Sequence, residues 1–418
     1  MTITYCESRY PIVRNRYLRF YMCGYDALTA LFASRRRVEG RPVRRLLLRN
    51  PAALGDVLYT LRLVRAIKAS NPEIQIGLLI GSWAKAMVAE CRDVDFIHVE
   101  DHWMVNRHEI SRLAKICHWL DTRRAALRDI RAAHYDAAVD CYYYFPGTSL
   151  LYRAGIPVRV GYDSREGRHL LTRVLHFANE DIHNVEYQAR LVQALGLPLG
   201  DLPQAVVNFA YQQSDAAVLA AHQLMAGKYI IVSVGTGEPR REWLVERWQE
   251  LLDRLDAAGH TVVLVGAGKR EAERIARFMS GKHRHRVSLC NQLSILELAQ
   301  IIHHARLFIG LESFAGHLAA MFQTPQVSIM HGQTNQYQWQ PYANPYCEVL
   351  RVPLPCLTCY FPSACTHDNA CMNHSVDSVM AAVERALSRT HVPSVATKVG
   401  QQPASPTTGG GRPPKYVP

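Results

Sequence analysis

The stretch LLLRNPAALGDVLYTLRLVRAIK, residues 46–68, decides the fold of the chain. Its leucine run predicts a buried strand over 46–49, and a loop with a single glycine leads to a predicted helix over 56–70. The apolar residues that recur at helical spacing in this helix are Leu58, Leu61, Val64 and Ile67. Strand, loop and helix in this order form the first step of a parallel α/β sheet.

The same alternation continues along the chain. Further strands are predicted over 74–80, 96–99, 137–140, 229–234, 261–265, 307–309 and 326–329. Further helices are predicted over 84–90, 245–258, 270–278, 295–304 and 316–322. Strands that alternate with helices indicate parallel sheets covered on both faces, and the repetition in the second half indicates two lobes. We therefore predict an α/β chain with two Rossmann-like lobes whose sheets face a central cleft.

Composition predicts four parts of the chain. Residues 1–42 form an N-terminal extension, 43–215 the first lobe, 216–390 the second lobe, and 391–418 a tail rich in Pro, Gly, Ser and Thr that we expect to be disordered. Within the extension, a short amphipathic helix is predicted over 25–33. It could dock on a membrane surface, but packing on the core is favoured because the segment is so short.

Hydropathy and charge narrow the class of protein. The apolar runs fall well short of the roughly 20 residues that a membrane span needs, and the first 20 residues lack the apolar region of a signal peptide. We therefore expect a cytoplasmic protein. The formal net charge is +12, with arginines concentrated between Arg35 and Arg49. Such a basic patch attracts phosphate groups, although a solvated face that aids solubility is an equally good interpretation.

The loops that follow strands are the candidate sites, because ligands of open α/β sheets bind beyond the carboxyl ends of the strands. The first such loop is 50–55. Gly55 allows close approach of the backbone, and Asp56 stands at the start of a helix, whose dipole favours an ionised carboxylate. Asp56 could therefore accept a proton from an acceptor hydroxyl, although capping the helix is the commoner role of Asp there.

Three loops of the second half offer groups that suit a nucleotide sugar. Loop 235–243 has glycines and a basic pair before a helix, and loop 310–317 leads directly into a helix N-terminus, where backbone amides bind phosphate. Loop 266–271 matches neither the Walker pattern nor the dinucleotide fingerprint, but it is a strand-to-helix turn of the same kind. The residues of the three loops that are predicted to bind the nucleotide sugar, the sugar donor, are Thr236, Gly237, Arg240, Arg241, Gly266, Glu271, Glu312, Ser313 and His317.

Four of the eleven cysteines lie close together in the sequence, at Cys356, Cys359, Cys365 and Cys371. Four thiolates in a reducing compartment can form a closed tetrahedral site for zinc or iron, and their spacing does not choose between the two metals. Such a metal would be structural. Free thiols or a disulfide are the alternatives.

In order and content, these loops resemble glycosyltransferase family 9, the bacterial heptosyltransferases of lipopolysaccharide synthesis. Gly55-Asp56-Val57 resembles the family's GDV, and REWLVERW at 241–248 resembles K-x-W-P-x-x-x-W. IGLESFAGHLAA at 309–320 resembles IG-x-D-[ST]-G-x-x-H-L-A-A. The resemblance extends from about residue 44 to about residue 387. Two departures lie in the last motif, where Glu312 stands for Asp and Phe314 for Gly.

The resemblance implies a GT-B fold and an inverting, metal-independent transfer in which Asp56 is the catalytic base and Arg241 contacts the donor phosphate. It implies ADP-heptose as the default donor and a lipopolysaccharide-core or similar anionic glycan as the acceptor. No cofactor for catalysis and no specific nucleic-acid partner are expected, and peripheral contact with the inner membrane is compatible with such an acceptor.

Two other classes remain open from the residues alone. A nicotinamide-dependent α/β oxidoreductase would need a glycine-rich first loop, but loop 50–55 offers one glycine and a proline without an N–H donor. A non-catalytic, metal-stabilised nucleic-acid-binding protein would use the arginines and the cysteines, and it would show a steep dependence of its affinity on salt.

Overall fold

The computed structural model describes residues 16–32, 42–106, 110–142, 147–163, 167–281, 283–359, 365 and 367–389. The contacts divide the chain into two units: the first runs to Gln212 and includes Tyr337–Trp339, and the second contains the remainder from Gln213. The predicted tail 391–418 lies outside the described residues. No helix in the described part of the chain is long and apolar enough to cross a membrane.

The first unit alternates strands and helices as the sequence predicts. The strands are β1 (Arg45–Arg49), β2 (Gln75–Ile80), β3 (Phe96–Val99), β4 (Ala137–Asp140), β5 (Val158–Tyr162) and β6 (Arg173–Leu175). The helices are α1 (Arg16–Phe32), α2 (Leu54–Ser70), α3 (Lys85–Ala89), α4 (Arg112–Ala133), α5 (Thr148–Arg153) and α6 (Asn184–Gln193).

The second unit repeats this arrangement. The strands are β7 (Tyr229–Ser233), β8 (Thr261–Val265), β9 (Arg286–Ser288), β10 (Leu307–Leu311), β11 (Gln326–Ile329) and β12 (Cys347–Leu350). The helices are α7 (Asp215–Ala221), α8 (Val245–Ala257), α9 (Lys269–Met279), α10 (Ile295–His303), α11 (Phe314–Met321), α12 (Gln336–Trp339), which crosses the division between the units, and α13 (Val376–Ser388).

Both sheets have the same topology. The strand order is β3-β2-β1-β4-β5-β6 in the first sheet and β9-β8-β7-β10-β11-β12 in the second, with every pairing parallel. The order reverses between β1 and β4 and between β7 and β10. A doubly wound sheet opens a crevice at such a reversal, and the loops that follow these four strands are therefore the ones that can receive a ligand.

Several elements escaped the sequence analysis. The longest is α4, with 22 residues, of which Ala126, Ile130 and Ala133 are buried. A helix that buries so few side chains has a weak apolar period, so periodicity does not detect it. The strands β5, β6, β9 and β12 and the helices α5, α6 and α7 were also not predicted, and short strands such as β6 and β9 carry little pattern.

The helix α1 is longer than the helix predicted over 25–33. The side chains that it buries are also not the ones that the prediction implied. Asp26 and Thr29 are buried, and the backbone N–H of Gly167 donates to Oδ1 of Asp26 at 2.6 Å. Leu28 and Leu31 are instead exposed, by 54% and 79%. The expectation that the apolar residues of this segment pack on the core is therefore wrong for both leucines.

A network of buried charges lies at the carboxyl edge of the first sheet. Arg49, the last residue of β1, donates to Asp140 at the end of β4 over 3.0 Å and to Glu100 after β3 over 3.2 Å. Arg123 and Trp119 of α4 also donate to Glu100. Burial by itself would raise the pKa of Glu100, but the charges of Arg49 and Arg123 outweigh it and lower that pKa. The network links three strands to α4.

We predict that Glu100→Gln destabilises the first unit by about 3 kcal/mol or more, because it leaves the buried charge of Arg49 with less compensation. Urea unfolding at neutral pH measures the loss. The matched control is Asp121→Asn, which removes a carboxylate from an exposed pair with Arg124 on the same helix and should leave stability unchanged within error. Equal stability of both variants would contradict a structural role of the network.

Candidate functional site

The loop between β1 and α2 presents Asp56 in the first turn of α2. The N-cap of this helix is Ala53, so Asp56 is the third residue of the helix rather than its N-cap. Asp56 is half-buried. The indole Nε1 of Trp83 donates to the carbonyl of Ala52 at 2.7 Å and ties the loop to the segment after β2.

A chain of buried amides and a hydroxyl positions the backbone of Asp56. Nδ2 of Asn50 donates to Oγ1 of Thr60 at 2.8 Å and to the carbonyl of Asp56 at 3.2 Å. Oγ1 of Thr60 in turn lies 2.8 Å from Oε1 of Gln188 on α6. Polar side chains that are buried and bonded to one another restrict the conformations available to the loop. The start of α2 is therefore held in one position relative to α6.

In the second unit, the loop after β7 is folded by its own side chains. Thr236 is buried, and its hydroxyl donates to the carbonyl of Glu238 at 2.7 Å and accepts the N–H of the same residue at 3.1 Å. Gly237 is exposed at the tip of this turn. Nε of Arg240 lies 3.4 Å from Oε1 of Glu238, so this arginine contacts its own loop.

Arg241 and Glu242 point to different neighbours. Nη1 of Arg241 lies 3.5 Å from Oε1 of Glu312, the residue that follows β10. Glu242 instead pairs with two arginines of α9, Arg270 at 3.2 Å and Arg274. Arg241 is consequently directed across the reversal between β7 and β10, where a donor diphosphate is expected.

Two tryptophans of the 241–248 motif anchor this loop to the core. Trp243 and Trp248 are fully buried, with ring centroids 4.9 Å apart in an edge-to-face arrangement. Nε1 of Trp243 also donates to the carbonyl of His374 at 3.0 Å. Large buried aromatic rings with defined geometry hold backbone segments firmly. The exposed Leu244, which stands for the family's Pro, lies between them.

Glu312 is the most enclosed charge of the second unit's site. Its side chain is 8% exposed, and Nε2 of the buried His331 lies 2.8 Å from its Oε2. Nδ1 of His331 accepts the backbone N–H of Gln333 at 3.1 Å, which fixes the orientation of the imidazole ring. Burial by itself would raise the pKa of Glu312, but His331 and Arg241 outweigh it and lower that pKa to about 2. Glu312 is therefore an anion at any working pH.

Ser313 and His317 lie at the start of α11. Ser313 is the N-cap, and its Oγ accepts the N–H of Gly316 at 3.4 Å. His317 is buried, and burial lowers its pKa to about 4 despite the opposing charge of Glu312, so the imidazole is neutral at pH 7. A neutral imidazole can accept or donate a hydrogen bond but adds no charge to the site.

Glu271 joins the other two loops of the second unit. It lies in the first turn of α9, and its Oε2 accepts the N–H of Ala267 at 3.1 Å. A Cβ at Gly235 or at Gly266 would lie 2.2 Å or 2.4 Å from the carboxylate of Glu271, so a side chain at either position would displace this carboxylate. The structure thus brings together the loops after β7 and β8.

Sequence reasoning missed the segment that follows β11. His331, Gln333 and Thr334 are buried there, and Oε1 of Gln333 and Oγ1 of Thr334 have no hydrogen-bond partner within the described residues. Buried polar atoms normally find a partner, so these two are candidates to contact a ligand or an ordered water. The position of the segment after a strand was the available signal, as for the other loops.

The four clustered cysteines are not joined by disulfide bonds. Burial raises the pKa of Cys371, and Cys359, Cys365 and Cys356 add to this in the same direction. Within the described residues, however, the group whose ligand atoms lie within 4.8 Å of one another is Asp215, His303 and His304 rather than the cysteines. Metal binding by the cysteines stays a prediction.

The curated relatives of the chain are lipopolysaccharide heptosyltransferases. Lipopolysaccharide heptosyltransferase 1 of Pseudomonas aeruginosa is 24% identical over 376 residues, which cover 87% of this chain and 99% of the relative. Lipopolysaccharide heptosyltransferase 3 of Escherichia coli is 22% identical over 298 residues, which cover 69% of this chain and 84% of the relative.

Solved structures share the fold. A glycosyltransferase of family 9 from Veillonella parvula superposes with a TM-score of 0.64 at 16% identity and covers 84% of this chain and 99% of its own. The ADP-heptose lipopolysaccharide heptosyltransferase II of E. coli superposes with a TM-score of 0.62 at 17% identity and covers 82% and 98%. The two Rossmann-like domains thus have the GT-B type fold of these structures, as predicted.

The family match spans residues 123–367, and the chain belongs to glycosyltransferase family 9 (heptosyltransferase). The protein is therefore an enzyme that transfers a sugar. This assignment removes the oxidoreductase and the non-catalytic nucleic-acid-binding protein that the residues alone had left open.

We predict that the second unit loses stability as the pH falls from about 6.5 towards 4, because its folded state keeps His317 unprotonated whereas the unfolded chain binds the proton. The lowered pKa of this histidine corresponds to a decrease of roughly 3 kcal/mol in the free energy of unfolding between pH 6.5 and pH 4. Urea unfolding at a series of pH values should show a smaller loss for His317→Asn than for the wild type. The control is His176→Asn, an exposed histidine of the first unit. Parallel pH profiles for wild type and His317→Asn would refute a buried neutral imidazole.

Proposed function

We propose that the protein transfers a heptose from ADP-heptose to an anionic glycan acceptor of the lipopolysaccharide-core type, with inversion at the anomeric carbon. The observation that carries the proposal is the arrangement around Arg241 and Glu312, where the loops after β7 and β10 meet at the reversal of the strand order. Family membership and the names of the relatives support the choice of sugar and acceptor.

In the proposed reaction, Asp56 removes the proton of an acceptor hydroxyl while the hydroxyl oxygen attacks the anomeric carbon of the donor. The new glycosidic bond forms as the bond from that carbon to the diphosphate oxygen breaks, and the nucleoside diphosphate leaves. General-base catalysis of this kind needs an ionised carboxylate within reach of the hydroxyl. The position of Asp56 in the first turn of α2 favours the ionised form.

The second unit is proposed to hold the donor. Arg241 and the amides at the start of α11 neutralise the charge that develops on the leaving diphosphate, so no divalent metal is required. The other proposed donor contacts lie in the three loops that follow β7, β8 and β10. They are Thr236, Gly237, Arg240, Gly266, Glu271, Ser313 and His317.

The choice of ADP rests on proteins whose structures carry that nucleotide. The E. coli heptosyltransferase WaaC has been solved with ADP and with ADP-2-deoxy-2-fluoro heptose, at 19% and 20% identity to this chain. Glu312 and Phe314 replace the Asp and Gly of the family motif at this site. The longer carboxylate is held by His331 and Arg241, and we propose that this arrangement preserves donor binding.

The domain roles and the structural metal belong to the same proposal. Residues 43–215 are assigned to the acceptor and 216–390 to the nucleotide sugar, with 1–42 as an extension. Zinc or iron at Cys356, Cys359, Cys365 and Cys371 would be structural, since thiolates are suitable ligands for both metals.

We predict that Asp56→Asn lowers turnover by about 10²- to 10⁴-fold while leaving the affinity for ADP unchanged, because the amide cannot accept the proton. Steady-state transfer assays and calorimetry with ADP measure the two effects separately. The control Asp201→Asn changes an exposed carboxylate of the same unit and should be neutral. Intact turnover combined with lost affinity for ADP would refute the assignment of Asp56 as the base.

We predict that Arg241→Ala weakens ADP binding about tenfold to a hundredfold, because it removes a charge-assisted contact with the diphosphate. Calorimetry with ADP measures the change, and the same titration with UDP tests the choice of nucleotide. The matched control is Arg277→Ala, an exposed arginine of α9 in the same unit, which should bind ADP as the wild type does. If the wild type binds UDP more tightly than ADP, the proposed nucleotide is wrong but the proposed binding site is not. If both variants bind ADP equally well, Arg241 does not contact the diphosphate.

A further inference from the structure

Two adjacent histidines end the helix α10, and a carboxylate of α7 lies against them. His303 is the last residue of α10, His304 is its C-cap, and Asp215 is the first residue of α7. Each of the three side chains offers one ligand atom, an imidazole nitrogen or a carboxylate oxygen, and these atoms lie within 4.8 Å of one another. All three side chains are half-buried, so a hydrated ion can reach them from solvent.

The types and the separation of these atoms suit a divalent transition-metal ion. Imidazole nitrogen and carboxylate oxygen are both ligands of zinc. Ligands about 2.1 Å from a tetrahedral zinc ion lie roughly 3.4 Å apart, so small rotations of the two partly exposed rings bring the three atoms to that separation. Nε2 of His304 already lies 2.7 Å from Oδ2 of Asp215, and a metal ion would replace the proton between these two atoms.

A buried amide holds the other oxygen of Asp215. Nε2 of Gln300, which lies one turn before His304 on α10, donates to Oδ1 of Asp215 at 2.7 Å and to the carbonyl of Gln213 at 2.9 Å. Gln300 is 3% exposed. A carboxylate that binds a metal ion normally has such a supporting hydrogen bond, which fixes its orientation. The bond leaves Oδ2 as the oxygen that faces the imidazoles.

The rings of the two histidines are close to each other, and a third ring supports one of them. The centroids of His303 and His304 are 4.8 Å apart. The ring of His303 also stacks on Phe322, with centroids 4.9 Å apart and an angle of 28° between the planes. Stacking restricts the rotation of the imidazole of His303, so less conformational entropy is lost when it binds an ion.

The end of α10 that carries the histidines is itself firmly attached. The hydroxyl of Tyr229 donates to the carbonyl of Ile301 at 2.6 Å, and the hydroxyl of Thr324 donates to the carbonyl of Ile302 at 3.0 Å. Both hydroxyls are buried bonds to the last turn of the helix. The carboxyl end of a helix also carries partial negative charge, which favours a cation beside it.

The cluster lies away from the loops that are proposed to bind the sugar donor. Because α10 leads into β10, the end of α10 is at the amino edge of the second sheet, whereas the donor loops follow the strands at the carboxyl edge. An ion bound by the cluster would therefore tie α7, the first helix of the second unit, to α10 rather than contact the reacting groups.

We propose that Asp215, His303 and His304 bind a divalent transition-metal ion such as Zn²⁺, with water completing the coordination, and that the ion fastens α7 to α10. The inference does not depend on the donor, the acceptor or the catalytic base proposed above. It also concerns a site separate from the four clustered cysteines.

Calorimetric titration of the full, metal-free chain with Zn²⁺ tests the proposal. Asp215→Asn keeps an oxygen that can accept from Gln300 but removes the charge, and His303→Phe keeps a ring that can stack but removes the nitrogen. Each variant should bind one Zn²⁺ at least about 10- to 100-fold more weakly, since losing even a supporting contact of a metal ligand has that effect. The matched control His285→Asn changes an exposed histidine of the second unit and should bind Zn²⁺ as the wild type does.

Two further measurements distinguish this site from the cysteine cluster. Co²⁺ bound by thiolates absorbs in the near ultraviolet through charge transfer from sulfur, and both variants should leave such absorption as it is in the wild type. Zn²⁺ should slow the hydrogen exchange of amides in 213–221 in the wild type but not in Asp215→Asn, because the ion opposes the local opening of α7.

Equal Zn²⁺ affinity and stoichiometry of the wild type and both variants would overturn the proposal, as would a wild type that binds no Zn²⁺. Zn²⁺ binding without any change of exchange in 213–221 would also overturn it, since the ion would then be held elsewhere. In the presence of a chelator, both variants should keep the wild-type thermal unfolding midpoint, because an ion pair between partly exposed side chains contributes little to stability. This control separates a lost ligand from a misfolded chain.

Discussion

The parallel pairing of the strands is the constraint on which the rest of the structure depends. Because neighbouring strands run in the same direction, the loops that follow them open at one edge of each sheet, and the two reversals of strand order separate the loops enough to admit a ligand. Residues as far apart in the sequence as Arg241 and Glu312 become neighbours for this reason. The same rule brings Arg49 and Asp140 together in the first sheet.

Each reversal carries a buried charge that needs compensation. In the first unit a buried arginine lies between carboxylates, and in the second a buried carboxylate lies between an arginine and a histidine. A charge removed from water is tolerated when it is paired and hydrogen-bonded. In the second unit this arrangement keeps Glu312 ionised beside the proposed position of a diphosphate. Arg241 lies close enough to interact with Glu312 or with the proposed diphosphate.

The sequence located the candidate site residues on strand-to-helix loops, and their roles stay predictions. The glycines at 235 and 266, the basic residue at 241 and the polar residues at 312, 313 and 317 all lie where the alternation of strands and helices placed them. His331, Gln333 and Thr334 were missed, because ordinary polar residues in a loop carry no periodic pattern and no spacing that marks a ligand. His331 lies near Glu312 because β10 and β11 pair, and this pairing brings together the two segments that follow these strands.

The sequence by itself determined the fold class, the order of most strands and helices, and the family, since these depend on local periodicity and on short motifs. The tertiary structure decided which loops share an edge, which charges pair across strands, and which face of α1 meets the protein. Those outcomes depend on contacts between residues distant in the chain, such as the bond between Asp26 and Gly167, and local pattern contains no information about them. The apolar period of residues 25–33 indicated an amphipathic helix, but Leu28 and Leu31 lie on its exposed side and Asp26 lies on its buried side.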